Sequence, residues 1–528
     1  MNTIWTFVLL WGVWLITPVV FDGLEALFRL VVVALTRRSE EPPREPEEWE
    51  LPTVTVVVPA HNEEAVIDRC LNSIRAQDYP HHKLEVIIVD DGSTDETARR
   101  VEEHINGNGN GGYHKTEYTN GTFILGGRAI KVGPFKGQMT LIKNGHQGKA
   151  HALNAGIKAS TGEIVVNVDS DVVLAPDTVR NIAVAFMRDP DLGAATGNIE
   201  VDWEIVEERD RDGRLVLDEN GGVQSRTLSW SERLLAKWQF LEYVASFRLG
   251  RESQARLGAI YTLAGACSAF RRSVLEAGTL YSNRTVSEDT HLTIDLHRQD
   301  VKIGFIPGAR VYLEPVVDWD GLYAQRVRWT RGQLEVCGLN RDLIAKRGTG
   351  ALGRFTLPQM LLFDHTVAFP RLVWMPLLLV FPLLGYSWGT ILQALVAMYI
   401  LYVVIETVNT LWCYKVAEPD TRRRIEQSGW ALLGMPLYRF IVFHFRFSGF
   451  LVTLREEQQW TTTGPVSQTR DDLRLLRLRS IEFAAGFITV AGVAFLRVIR
   501  YAQAVIVPAV VGLALTVGNL FTTSRKGG

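Results

Sequence analysis

Several short stretches of this chain carry carboxylates spaced for work on a charged ligand. NVDSD places Asp169 and Asp171 two apart on extended backbone, so both side chains reach one side of the strand. A hard divalent ion bridging a diphosphate is held by that geometry. VIIVDDGSTDET closes a β-branched run on Asp90 and Asp91, where a Gly turn presents carboxylates outward; the competing reading is that Ser93, Thr94 and Asp95 merely cap a helix. VVVPAHNEE behaves alike, with Pro59 stopping the ladder and His61, Asn62 and Glu63 at its tip. SEDTHLTIDL offers Glu288 and Asp289 at a helix start. Asp289 suits a general base and Glu288 a residue that orients it, with dipole-stabilised capping as the alternative.

Cationic and aromatic groups supply the complement. GKAHALNAGI brings Lys149 and a helix N-terminus together, which suits an anion or, more simply, a well-capped surface helix. In QRVRW, Gln325, Arg328 and Trp329 share a helical face by their i, i+3 and i+4 spacing. A guanidinium matches phosphate oxygens and an indole matches the C–H face of a sugar ring, so this helix reads as a saccharide-end receptor or as an ordinary amphipathic helix.

These groups need a frame. From Val54 to about Arg347, β-branched runs such as TVTVVVPA, LEVIIVDD and EIVVNVDSD alternate with amphipathic segments, the pattern of buried, mostly parallel strands with crossover helices in an α/β fold. The polar clusters sit at the C-terminal ends of those strands, where an open α/β sheet takes its ligand. Residues 105–127 and 207–222 read as loop or hairpin excursions without a site. Apolar residues crowd the two ends. Residues 4–35 read as a retained anchor, either one tilted helix or a span joined to an interfacial helix, and Arg37 and Arg38 place the next domain in the cytoplasm. Apolar segments near 358–384, 387–414, 429–454 and 482–521 are of spanning length. Asp364, His365, Arg371, Arg439, His444 and Arg446 within them are expected to face a bundle interior, an interface or a polar conduit; surface-lying amphipathic helices are the alternative. The expected organisation is an N-terminal transmembrane anchor over 1–40, a cytoplasmic catalytic domain over 50–347, and interfacial and transmembrane helices over 355–528.

Lys and Arg total 56 against 58 Asp and Glu, which disfavours a nucleic-acid partner. Cys70, Cys267, Cys337 and Cys413 lie far apart without metal-ligand spacing, so neither a zinc site nor a disulfide framework is expected.

In order, PAHNEE, VDDGSTDET, GKAHALN, NVDSD, GACSAFRR, SEDTHLT and QRVRW resemble the family-2 glycosyltransferases, in particular the processive membrane branch of cellulose, hyaluronan, chitin-oligosaccharide and poly-N-acetylglucosamine synthases. The resemblance implies a GT-A fold, a UDP-sugar donor and Mg²⁺ or Mn²⁺, in a multi-pass protein of the plasma (inner) membrane. By motif it assigns Asp91, with Asp90 and Glu63, to the uridine and ribose, and Asp171 with Asp169 to the metal. Asp289 is implied as general base, and Gln325, Arg328 and Trp329 as binders of diphosphate and acceptor at a channel mouth. Gly265 and Cys267 of GACSAFRR lie beside the acceptor sugar, and Trp460 in QQWTTTG resembles a gating segment. The implied hexosyltransferase polymerises UDP-glucose or UDP-N-acetylglucosamine into a β-linked polysaccharide and passes it across the bilayer, with room for export subunits or self-association. Two other readings stay open: a non-processive enzyme adding one sugar to a lipid carrier, which usually lacks QxxRW, and a silent scaffold or export subunit, against which intact Asp171, Asp289 and QRVRW argue.

Overall fold

The computed structural model describes residues 23–36, 46–106, 122–125, 128–131, 135–206, 208, 226–344, 350–359 and 381–455. The chain divides into two compact units, Met1–Thr462 and Thr463–Gly528, and the second lies outside the described residues. So do Trp460, Asp364, His365, Arg371, the apolar segment 482–521, and most of the anchor and of segment 358–384.

Within the first unit, helix α1 (Leu24–Thr36) is succeeded by strand β1 (Val54–Ala60), α2 (Ile67–Arg75), β2 (Leu84–Asp91) and α3 (Thr97–Asn106). A two-stranded hairpin of β3 (Thr122–Leu125) and β4 (Arg128–Lys131) begins inside the first expected excursion and extends past its end at 127. Then come β5 (Gln138–Asn144), α4 (Lys149–Ala159), β6 (Ile164–Asn167), β7 (Val173–Leu174), α5 (Thr178–Arg188), β8 (Leu192–Val201) and α6 (Trp230–Ala245). The rest is β9 (Ser268–Arg271), α7 (Glu288–Arg298), β10 (Lys302–Leu313), α8 (Trp319–Leu339), α9 (Trp388–Val416), α10 (Pro419–Ser428) and α11 (Met435–Arg455).

Eight strands form one sheet in the order β5-β2-β1-β6-β9-β8-β10-β7. Every residue of β1 is buried, as a β-branched run requires to sit at the centre of such a sheet. Its neighbours β2 and β6 are parallel to it, and β5 is parallel to β2. The sheet is mixed beyond that point: β9 runs antiparallel to both β6 and β8, and β7 is antiparallel to β10. Expectation and structure therefore agree on the β5–β6 half and on the parallel pair β8–β10, and differ where β9 and β7 run antiparallel. Helix α4 lies so close to this half that a methyl at Gly156 would sit 2.3 Å from Val57 Cγ1, which only glycine permits.

The helices after the sheet are bound to it by buried charge. Arg424 of α10 donates to Glu200 of β8 at 2.7 Å and lies 3.3 Å from Asp202, with all three side chains fully buried. Helix α8 packs along α11, where Gly449 admits the Thr330 side chain. Arg439 and Arg446 of α11, each about a third exposed, approach Glu242 of α6 at 3.8 and 4.0 Å. Among the described residues one helix, α9, is long and apolar enough to cross a membrane: 29 residues, mean hydropathy 2.0 over its apolar window, 11% of that window buried.

Candidate active site

The C-terminal ends of β1, β2 and β5 carry three loops that are laced together. Asn62 takes a left-handed backbone (φ 56°), which its short polar side chain tolerates, and its Oδ1 accepts from Thr94 N at 2.8 Å. Asn62 N donates to Ser93 Oγ, and Glu63 N to Thr97 Oγ1 at 2.8 Å. Ser93, Thr94 and Thr97 thus cross-tie the two loops, and Asp95 Oδ1 accepts from Thr97 N at 3.0 Å at the start of α3, as the capping reading expects of Asp95. Asp90 Oδ1 accepts from Ser93 N at 3.2 Å. Gly92 turns with φ +72° directly under His146, where a side chain would meet His146 N at 2.8 Å.

Asp91 is 2% exposed, and its two oxygens accept from Gln147 N at 3.0 Å and Gly148 N at 2.8 Å. His146 adds a contact of 2.9 Å to the same carboxylate and stacks on His61, ring centroids 4.2 Å apart. The aspartate read as a ligand for uridine and ribose thus does its visible work on the loop entering α4, whose first residue is Lys149. Together with His61 and His146 its ligand atoms lie within 4.8 Å of one another.

Lys149 is the hub of the cleft floor. Its Nζ lies 2.7 Å from Asp169 Oδ1 and 3.4 Å from Glu288 Oε1. Burial works against its charge, but Asp169, Glu288 and Asp289 outweigh it and hold the ammonium above its ordinary range. Gly265 belongs to the same cluster: a methyl there would be 3.2 Å from Lys149 Nζ and 3.4 Å from Asp169 Oδ2, and its N–H donates to Asp289 Oδ2 at 3.2 Å. The other Asp289 oxygen accepts from Thr290 N at 2.6 Å. Glu288, buried, is directed at Lys149, while Asp289 is held by the N–H of Thr290 at the head of α7 and by that of Gly265.

Acid outnumbers base here. Withdrawal from water, then the neighbouring Asp169, pushes the Asp171 carboxyl above the usual carboxylate range, although its surface is open to solvent. Glu63 rises from 4.5 to about 7 through burial first and then Asp171 and Asp169. Burial likewise raises Glu288. Oxygen donors carrying surplus negative charge, as Asp169 and Asp171 do, are the chemistry a hard divalent cation takes.

The QRVRW helix, α8, borders this floor. Tyr243 of α6 feels both Asp171 and Arg328, and its ring centre is 6.2 Å from that of Trp329. Arg328 is exposed and Trp329 is half-buried. Gln325 Oε1 is buried with no hydrogen-bond donor, a position suited to a ligand hydroxyl. A methyl at Gly332 of α8 would sit 2.0 Å from Ser287 Oγ, so α8 rests directly on the start of the Glu288–Asp289 helix. Cys267 has no exposed surface and its Sγ packs 3.0 Å from the Cβ position of Gly197; it lies in the core between β8 and β9. Burial pushes its thiol up to about 12.

Four residues the motifs did not single out complete the arrangement: Glu242, Tyr243, Arg326 and Tyr438. Arg326 lies inside QRVRW, and its buried position on α8 could have been read from the helical period; the other three carry no local signal.

Residues 131–332 match the family described as glycosyltransferase like family 2, and residues 55–122 match glycosyl transferase family 2. The chain is 26% identical over 283 residues to the probable glycosyltransferase YdaM of Bacillus subtilis (strain 168), covering 54% of this chain and 56% of that one. It is 28% identical over 332 residues to poly-beta-1,6-N-acetyl-D-glucosamine synthase of Staphylococcus aureus (strain COL), covering 63% and 65%. The chain thus spans less than two thirds of the length of either relative. In fold it is similar to mannosyltransferase PcManGT from Pyrobaculum calidifontis in complex with GDP-Man and Mn2+, with a TM-score of 0.50 at 18% identity over 85% of this chain and 100% of that one. Carboxylates gathered at the strand ends of a mixed sheet, and family matches running over the same strands, lead to one assignment: the chain belongs to the family-2 glycosyltransferases, with a catalytic domain of the GT-A fold.

Proposed function

We propose that the chain is a processive, inverting β-glycosyltransferase that polymerises UDP-N-acetylglucosamine and passes the product across the membrane in which its apolar helices sit. The observation that carries the reading is the meeting of Asp169, Lys149, Glu288 and Asp289 through Gly265 and Lys149, with the QRVRW helix resting on the head of α7. Poly-beta-1,6-N-acetyl-D-glucosamine synthase among the relatives supports the choice of donor over UDP-glucose. The exposed apolar surface of α9, together with Leu24, Leu27, Phe28, Val31 and Leu35 of α1, supports a multi-pass location facing lipid.

Asp289 takes the proton from the terminal hydroxyl of the acceptor while that oxygen bonds to the anomeric carbon. The bond from that carbon to the diphosphate breaks on the opposite face, the configuration inverts from α to β, and UDP leaves with the electron pair. Gly265 N–H and Thr290 N–H hold the Asp289 carboxylate in place. Arg328 meets the diphosphate, Gln325 Oε1 accepts from a hydroxyl, and Trp329 receives a sugar face. Asp169 and Asp171, with Glu63 alongside, would hold a Mg²⁺ or Mn²⁺ ion, which would supply positive charge for the departing diphosphate. Lys149 lies between Asp169 and Glu288 and offsets the repulsion between them.

Purified protein in detergent is offered UDP-N-acetylglucosamine, UDP-glucose and UDP-glucuronate separately, with Mg²⁺ or Mn²⁺, and UDP release and product size are measured. Long, hydrolase-sensitive polymer from UDP-N-acetylglucosamine is expected. A product extended by one sugar refutes processivity, and turnover confined to another donor refutes the substrate.

A further inference from the structure

The second residue of QRVRW, Arg326, has no part in the transfer step, yet it is one of the most deeply buried side chains in the molecule, 2% exposed. Its Nη2 donates to Glu242 Oε2 at 2.6 Å and to Tyr438 Oη at 3.1 Å. Tyr438 in turn donates to the same Glu242 oxygen at 2.6 Å, so α6, α8 and α11 meet in a closed triangle of acid, guanidinium and phenol. The rest of the guanidinium faces an aromatic ring. Its Cζ stands 4.4 Å from the centre of the Trp329 indole, one helical turn along α8, and Arg326 Nε has no acceptor. Tyr243, next to Glu242 on α6, approaches the same indole at 6.2 Å with a 56° tilt.

An indole has two faces, and a sugar ring stacks on one at a time. The Arg326 guanidinium covers one, and consecutive residues of α6 secure the pair: Glu242 grips the arginine while Tyr243 abuts the tryptophan. We propose that Glu242, Arg326 and Tyr438 are positioning residues for Trp329, presenting a single indole face to the acceptor and tying its orientation to α11. This rests on the proposed stacking of the acceptor sugar on Trp329. It predicts a defect in holding the acceptor, with handling of the donor intact.

The test uses the full-length protein in detergent, UDP-N-acetylglucosamine as donor and a β-1,6-linked N-acetylglucosamine pentasaccharide as acceptor. Variants are Arg326→Leu, Glu242→Gln, Tyr438→Phe, the pair Glu242→Leu with Arg326→Leu, and Trp329→Ala. Arg326→Leu is expected to raise the acceptor KM roughly five- to thirtyfold, the weight of a desolvated cation–π contact, and to shorten the products, with the donor KM unchanged. The paired variant guards against misfolding, since removing both members of a buried ion pair tends to spare stability where removing one does not. Its Tm is expected to recover while its acceptor KM stays high. Recovery of both together would make Arg326 a structural filler and overturn the proposal, as would equal rises in donor and acceptor KM. If Trp329→Ala leaves the acceptor KM unmoved, the reading of Trp329 itself fails and the proposal falls with it. A normal acceptor KM in Arg326→Leu beside a raised one in Trp329→Ala removes the positioning role alone.

Discussion

The molecule treats its buried acids in two opposite ways. On the cleft floor Glu63, Asp169, Asp171, Glu288 and Asp289 crowd together, with Lys149 the cation that touches Asp169 and Glu288, and the ionised forms of Glu63, Asp171 and Glu288 are disfavoured. Beneath the long helices, Glu242 is met by Arg326, Arg439, Arg446 and a tyrosine hydroxyl, while Glu200 and Asp202 share Arg424. The second arrangement is closed on itself and contributes architecture. The first is left open on one side, and the excess charge is what a nucleotide diphosphate with its cation would meet. Surplus marks the reaction; balance marks the scaffold.

The contrast breaks most visibly at Asp289. Asp289→Asn keeps the shape and one of the two N–H contacts, since its amide nitrogen cannot accept, and removes the basic oxygen, so kcat is expected to fall about 10²- to 10⁴-fold with the fold and UDP binding retained. Circular dichroism, calorimetric UDP binding and UDP-release kinetics check the three parts. Near-normal turnover would end the assignment of base.

At the balanced end the damage is structural. Arg424→Leu leaves Glu200 and Asp202 without their cation, with side chains 0% exposed, a loss of about 3–5 kcal/mol in denaturant unfolding. Adding Glu200→Gln is expected to return part of it, because Gln still pairs with Thr421 and Asn198, which bond to Glu200 in the native chain. An Arg424→Leu protein as stable as the parent would show that the ion pair contributes little to holding α10 on the sheet.

How much of this could be read from the chain depends on how far apart in sequence the partners lie. Asp169 with Asp171, Glu288 with Asp289, and Gln325, Arg328 and Trp329 are neighbours on one strand or one helical turn, so spacing alone exposes them. The buried run VTVVVPA announces a central strand for the same reason. Glu242 and Arg326 are 84 residues apart, and Arg424 and Glu200 are 224 apart; neither pair leaves a local trace. The antiparallel insertion of β9 between β6 and β8 is equally invisible, because SAFR looks the same in either direction. Asp91 shows the reverse difficulty. A carboxylate at a strand end suits a ligand and suits two backbone N–H groups equally well, and the structure spends both its oxygens on Gln147 and Gly148. Cys267 sits in a motif beside the cleft but closes a turn, its N–H donating to Ala264 O at 3.1 Å, and its buried Sγ packs against Gly197.

Glu63 gives the contrast a pH signature. Its carboxyl is raised from 4.5 to about 7, so the folded protein binds that proton more tightly than the unfolded chain does. Linkage sets the sign: stability is greatest below about 4.5, falls as pH climbs toward 7, and is level above it as far as this group is concerned. With the side chain only half-buried, solvent screening reduces the loss to on the order of 1–2 kcal/mol. Urea unfolding from pH 4 to 8 in EDTA is expected to show this decline in the parent and a flatter profile in Glu63→Gln, with Mn²⁺ restoring most stability at the high-pH end. Parallel profiles would remove Glu63 from the crowded set.

The smallest effect separates distance from burial. Lys302 Nζ approaches Asp189 Oδ2 at 2.6 Å, no longer than the 2.7 Å between Arg424 and Glu200, but with side chains 54% and 35% exposed. Water already solvates both charges there, and ordering two side chains offsets much of the attraction. Lys302→Ala is therefore expected to change stability by about 0–1 kcal/mol in the same denaturant assay, with the difference shrinking further in 1 M salt. A loss comparable to that of Arg424→Leu would mean that contact length, rather than removal from water, sets the weight of an ion pair in this protein, and the distinction between its open and closed acid clusters would lose its physical basis.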